Sequence, residues 1–244
     1  MKDQYFGDIN DFRKYCILSK LTKLTRLPIC FVWMRTSADG RPDGKKTRYL
    51  GDPEKWWPLN PALFDFLRRH VLELEERKVA VFRKAPGFPK AKFIEHILTE
   101  SPAEQDAYFA QVRHIAGRKD MLFFDPDNGL EVDSVKVVRA KSPKHLYWRD
   151  LGPLYGAGHS VIIYQHFPRE KRVPYTKRKL KEVDAYLKGA TAFAIRTPHV
   201  LFLIATQPGD AKRIGNVLAR TFKRDQRLLS NNTFEFYKEL LTGQ

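Results

Sequence analysis

Short apolar runs bounded by turn residues recur along this chain of 244 residues: "ICFVWM" at 29–34, "MLFF" at 121–124, "SVIIYQ" at 160–165, "AFAIR" at 192–196 and "HVLFLIA" at 199–205. Each is too short for an ordinary helix and too apolar for a strand with one wet face. They read as strands buried on both sides, and "KVAVF" at 78–82 reads the same way. Helical stretches lie between them. Residues 11–26 carry Phe12, Tyr15, Leu18, Leu21 and Leu24 at helical spacing, with Arg13, Lys14, Lys20, Lys23 and Arg26 on the other face. Residues 61–77 and 91–100 read as helices. "SPAE" at 101–104 is a capping box with proline at the first helical position, opening another. Basic helices are expected over 175–187 and 210–223, and a last strand in "TFEFYK".

This alternation predicts an α/β fold: a mostly parallel sheet with helices on both faces. The two late strands, separated by Thr197 and Pro198, have no room for a crossover between them, so they form an antiparallel pair. The length suits a single α/β domain over 1–244, with a helical insertion at about 52–118.

Composition narrows the function. The two cysteines, Cys16 and Cys30, sit in apolar runs without disulfide or zinc spacing, which fits a reducing compartment. The polar start "MKDQYFGDIN" is no signal peptide, and no apolar run could span a bilayer. A cytoplasmic protein without a membrane partner is expected. The net charge is +16, and residues 168–227 alone carry 15 Lys/Arg against 5 Asp/Glu. Such an uneven excess points to a polyanion, with nucleic acid (RNA or DNA) first.

"FFDPDNG" at 123–129 ends a buried strand in Asp125, Pro126, Asp127, Asn128 and Gly129. In open α/β sheets, ligands bind beyond the carboxyl ends of the strands. A carboxylate there can accept a hydrogen bond from an amine, act as a base or hold a metal. The same residues are also ordinary turn formers. "YQHFPREKRVPYTKRKLK" at 164–181 would put His166 near Asp125 as an acid, a base, a phosphate-binding group or a metal ligand. Behind it runs a basic stretch whose Arg169, Lys171, Arg172, Lys177 and Arg178 would bind phosphates, with Phe167 and Tyr175 placed to stack on a base.

The spacing G-x-x-x-D-x-x-K-aromatic, met by Gly7, Asp11, Lys14 and Tyr15, resembles the N-terminal motif of the RlmJ-type adenine methyltransferases of large-subunit ribosomal RNA. The order of parts is similar too: a helix, "ICFVWM", then "RTSADG". Asp125-Pro126-Asp127-Asn128 stands where that family has its catalytic D-P-P-Y, and "IIYQHFP" is similar to its next strand. The Y-F-G-D start and D-P-D-N-G loop also resemble those of a bacterial family. The resemblance implies a Rossmann-like, class I methyltransferase-type sheet that binds S-adenosylmethionine beside the first strand. It implies that Gly7, Asp11, Lys14, Thr36, Asp39 and Gly40 serve the cofactor, and that Asp125, with Asp127, Asn128 and His166, serves the target amine.

The departures from that pattern are specific. Asp127 replaces the second proline, Asn128 the base-stacking aromatic and Arg35 an acid at the end of the first strand. "KVAVFRKAPG", read as the second strand, lacks the carboxylate that usually grips the cofactor ribose. The extra acid leaves open a metal-dependent nuclease or phosphodiesterase, with Mg2+ or Mn2+ on Asp125 and Asp127. A non-catalytic nucleic-acid-binding protein is a third reading.

Overall fold

In the computed structural model the described residues are 1–37, 44–132, 142–197, 199–224 and 235–238, with 222–224 and 235–238 described in backbone only. The apolar runs pair into one seven-stranded sheet. Its strands are β1 (Ile29–Val32), β2 (Lys92–Ile94), β3 (Met121–Phe124), β6 (Val161–His166), β7 (Thr191–Arg196), β8 (Val200–Thr206) and β9 (Glu235–Lys238). The order across the sheet is β2-β1-β3-β6-β8-β7-β9. Neighbours from β2 to β6 are parallel, and β8 runs antiparallel to both β6 and β7. The last pairing, β7 with β9, is also antiparallel. Five strands therefore share one direction and two oppose it. The expected α/β sheet and late antiparallel pair are present. A separate two-residue ladder joins β4 (Gly129–Leu130) to β5 (His145–Leu146).

The continuous apolar runs are explained by cover on both faces. Side chains alternate along β1: Ile29, Phe31 and Trp33 enter one core, Cys30, Val32 and Met34 the other. Helices α1 (Ile9–Thr25), α3 (Pro61–Arg68) and α7 (Pro208–Arg224) pack on the first face. Helices α4 (Pro102–Ile115), α5 (Trp148–Gly156) and α6 (Arg172–Tyr186) pack on the second. A four-residue helix, α2 (Pro53–Trp56), precedes α3. No helix among the described residues is long and apolar enough to cross a membrane.

Three expectations are corrected. "KVAVF" is no strand: Val79–Lys84 is a 3-10 helix. Its Phe82 stacks on Tyr15, with ring centroids 3.8 Å apart, and meets Phe31 edge-on at 5.4 Å. Burying such a ring contributes about 1.5–3 kcal/mol, more than a weak strand preference can. The second strand is instead Lys92–Ile94, inside the stretch read as a short helix, where Phe93 stacks on Phe31. Residues 52–118 are thus not a purely helical insertion, because they supply β2 and its return helix α4. The third correction concerns α1, which is not amphipathic. Most of it is buried, Lys14 included, while Leu24 is exposed. Its cap is Asp8, whose Oδ1 accepts from Asn10 N–H at 2.8 Å.

Candidate active site

The chain leaves β1 towards β2 on one side, and β3 leads to β6 on the other. Strand order therefore reverses between β1 and β3, where α/β sheets open a crevice at their carboxyl ends. A cavity of about 880 Å³ lies beside this point, over the carboxyl ends of β3 and β6, lined by Asp125, Pro126, Asp127 and Asn128 from the β3 exit, by Tyr164 and His166 from β6, and by Asp11 and Lys14 from α1. Asp11 and Lys14, three residues apart, share one helix face.

Lys14 is the centre of the floor and is 1% exposed. Its Nζ lies 2.6 Å from Asp11 Oδ1 and 2.7 Å from Asp125 Oδ2. The rings of Tyr15 and Tyr164 stand 4.8 and 5.2 Å from it. Burial opposes the Lys14 charge, but Asp11 and Asp125 outweigh it and hold the ammonium well above its ordinary pKa. Asp11 is pushed up to about 6, by burial first and against the attraction of Lys14. Its Oδ2 is buried without a hydrogen-bond partner.

Asp127 faces different partners. Its Oδ1 lies 3.0 Å from the Met1 ammonium, and its Oδ2 accepts from Thr36 Oγ1 at 2.5 Å, with Lys2 Nζ at 3.5 Å. Burial works to raise this carboxyl, yet the ammonium and the Thr36 hydroxyl hold it below its usual value. The Met1 ammonium also donates to the carbonyls of Trp33 and Asp125 at 3.1 Å each. Met34 turns the chain out of β1 at φ 45°, a left-handed conformation that costs an ordinary residue about 1–2 kcal/mol. Its N–H donates to Tyr108 Oη at 3.1 Å.

The other expected residues divide. Asn128 is exposed on the cavity wall, its N–H bound to the Lys144 carbonyl at 2.8 Å. His166 lines the cavity, ring-perpendicular to Tyr164 at 5.4 Å, and burial leads in lowering its pKa, despite the pull of Asp125. Gly7 is not among the lining residues. It forms the tight turn into α1 at φ +76°, where a Cβ would sit 2.4 Å from Val71 Cγ2. Asp39 and Gly40 lie outside the described residues. Arg35 pairs with Asp3 at 2.8 Å.

The basic stretch is less uniform than its sequence suggests. Arg169, Lys171 and Arg172 line a second cleft of about 660 Å³ with Phe167 and His199. Arg178 is engaged by Glu170 through two bonds of 3.0 and 2.6 Å. Lys177 is exposed and lines none of the described cavities. Tyr175, expected to stack on a base, is buried on the sheet, because it lies on the inner face of α6.

Sequence reasoning missed Lys45, Lys46, Arg48, Lys144 and His199, all on the cavity wall. Lys45, Lys46 and Arg48 lie together in the cluster "GKKTR", whereas Lys144 and His199 have no such local signal. Among the described residues no group of three or more His, Cys, Asp and Glu could hold a metal ion. No protein-family model matches the chain, and no curated protein matches it.

Proposed function

We propose that the chain is a nucleic-acid methyltransferase that uses S-adenosylmethionine on an adenine amine. The observation that carries this reading is Asp125: a buried carboxylate at the carboxyl end of β3, beside the strand-order reversal and on the wall of a ligand-sized cavity. A Rossmann-like, class I methyltransferase-type sheet is the finer fold reading that this strand order supports. Glu95 adds to it. With the second strand at Lys92–Ile94, the next residue is an acid, which is what the resemblance expects for the cofactor ribose. Glu95 Oε1 is buried without a hydrogen-bond partner, while Oε2 meets Arg83. An orphaned carboxylate oxygen at that point suits a ribose hydroxyl. Arg35, which departs from the pattern, has its charge met by Asp3.

Bound there, S-adenosylmethionine supplies an electrophilic methyl group. The protein's own part is alignment and proton handling. Lys14 holds Oδ2 of Asp125, and no group among the described residues donates to Oδ1, leaving it to accept from the amine. His166, exposed on the same wall, is positioned to receive the proton that the methylated amine releases. The nuclease reading has less support. Mg2+ or Mn2+ at Asp125 and Asp127 would have to displace Lys14 from one and the Met1 ammonium from the other.

The test is thermal unfolding with S-adenosylmethionine. At a hundredfold excess over Kd a native-state ligand adds about 2.7 kcal/mol, which raises Tm by roughly 5–11 °C in a chain of this size. No shift at millimolar cofactor sinks the proposal. A shift with Mn2+ instead, lost in Asp125→Ala, would move the site to the nuclease reading.

A further inference from the structure

The cavity has two layers of opposite character. Its floor is the buried Asp11–Lys14–Asp125 group. Its mouth carries Lys45, Lys46 and Arg48 from one segment and Lys144 from another, all on the cavity wall. Lys45, Lys46 and Arg48 are exposed, and none of the four cations has an acidic partner among the described residues. On α6 two of the cations are paired, Arg178 with Glu170 and Lys179 with Glu182 at 2.7 Å, while Lys177 and Lys181 line none of the described cavities.

The cations stand on a fixed ledge. Lys46 N–H donates to Asp8 Oδ2 at 3.1 Å, and the Lys46 carbonyl accepts from Ile9 N–H at 3.1 Å. Arg77 reaches the Gly44 carbonyl at 2.5 Å while also holding the carbonyls of Gln4 and Phe6. Lys144 is tied to the β3 exit through its carbonyl and Asn128 N–H. His199 on the same wall has its pKa lowered first by burial, then by Lys46, Arg13 and Arg172.

Unpaired cations on a rigid rim above a buried polar floor suit a ligand with anionic groups outside and a neutral ring inside. We propose that Lys45, Lys46, Arg48 and Lys144 bind the phosphodiester backbone of a single-stranded nucleic acid, on either side of a base that enters the cavity. A stacked duplex base cannot reach a floor that is 4% exposed at Asp125. The backbone therefore lies along this ledge, whose cations line the same cavity as Asp125. The inference deepens the methyltransferase reading by naming the strandedness of its substrate. Phosphate contacts need no cofactor, so the two can fail separately.

The test is fluorescence anisotropy without cofactor, using labelled single strands of about 15 nucleotides as RNA and as DNA, and the matching duplexes. The combined variant Lys45→Ala, Lys46→Ala, Arg48→Ala is expected to lower affinity more than about tenfold for at least one of the two single strands. It should also reduce the slope of log K against log[salt] by about 2, at about 0.7 per phosphate contact. The control Lys181→Ala, Lys188→Ala, at exposed lysines that line none of the described cavities, should stay within about twofold. Unchanged Tm in the triple variant, whose lost side chains are exposed, separates binding from folding. A salt slope equal to that of the parent overturns the ledge, as does a control that loses more affinity than the triple variant. Duplex bound as tightly as single strand overturns the strandedness. If S-adenosylmethionine fails to bind while the ledge result holds, the methyl-transfer reading falls alone.

Discussion

Lys14 joins residues 11 and 125 through one ammonium, and that contact defines the floor of the cavity. Burying three charges is costly, and the contact persists because each carboxylate meets the cation at hydrogen-bond distance. Burial raises Asp11 from its ordinary 3.8 to about 6, against the attraction of Lys14. A raised folded pKa means that the native state holds more protons than the unfolded chain between those two values. The Asp11 contribution to stability is therefore largest at the acid side of that window and is lost as pH rises through it. Asp127, held low, acts in the opposite sense: its contribution is present above its unfolded pKa and is lost as pH falls below it. Urea unfolding of the parent and Asp11→Asn across pH 4 to 7 separates the two. The parent's stability relative to the variant should decline as pH rises towards about 6 and level off above it. A difference that stays flat or grows with pH would show that Asp11 is not the buried, proton-retaining group described.

At the scale of elements, the loop after β3 depends on a glycine and a glutamine. Gly129 has φ +87°, and a Cβ there would lie 2.2 Å from Gln165 Nε2. Gln165 Oε1 accepts from Leu130 N–H at 2.7 Å, and its Nε2 donates to the His166 carbonyl at 2.9 Å, clamping the loop to the end of β6. Gly129→Ala combines left-handed strain with loss of that clamp, about 2–3 kcal/mol together, and is expected to lower Tm by roughly 4–12 °C. A variant as stable as the parent would mean that the loop is not clamped. The elements differ in how far they were legible in the sequence. Strands β1, β3, β6, β7 and β8 were readable because cover on both faces leaves continuous apolar runs. Strand β2 was not: three residues long and opening on a lysine, it gives no period, and "KVAVF" offered a stronger but misleading run. Glu95 was hidden by the same misreading. Helix α1 was legible as a helix but not in its burial, because Lys14 looks like a solvated residue until Asp125 is brought beside it from 111 positions away. Linear charge density drew attention to α6, where Glu170 and Glu182 offset part of it, and away from the shorter ledge at Lys45, Lys46 and Arg48.

For the whole molecule, the sheet order and the charge distribution converge on one end of the strands. The cavity opens at the carboxyl ends of β3 and β6, beside the order reversal between β1 and β3, and the net charge of +16 gives the molecule a field that attracts polyanions. The cations at its mouth and the carboxylate on its floor belong to segments brought together by the fold, so the site exists only in the assembled sheet. The most direct measurement is transfer of a labelled methyl group from S-adenosylmethionine to single-stranded RNA or DNA, followed by digestion to nucleosides. Label is expected in N6-methyladenosine or its deoxy form, and is expected to vanish in an Asp125→Ala protein that still melts cooperatively. Absence of transfer from the parent protein to either nucleic acid, or transfer that persists undiminished in Asp125→Ala, would contradict the assignment of this cavity as a methyl-transfer site.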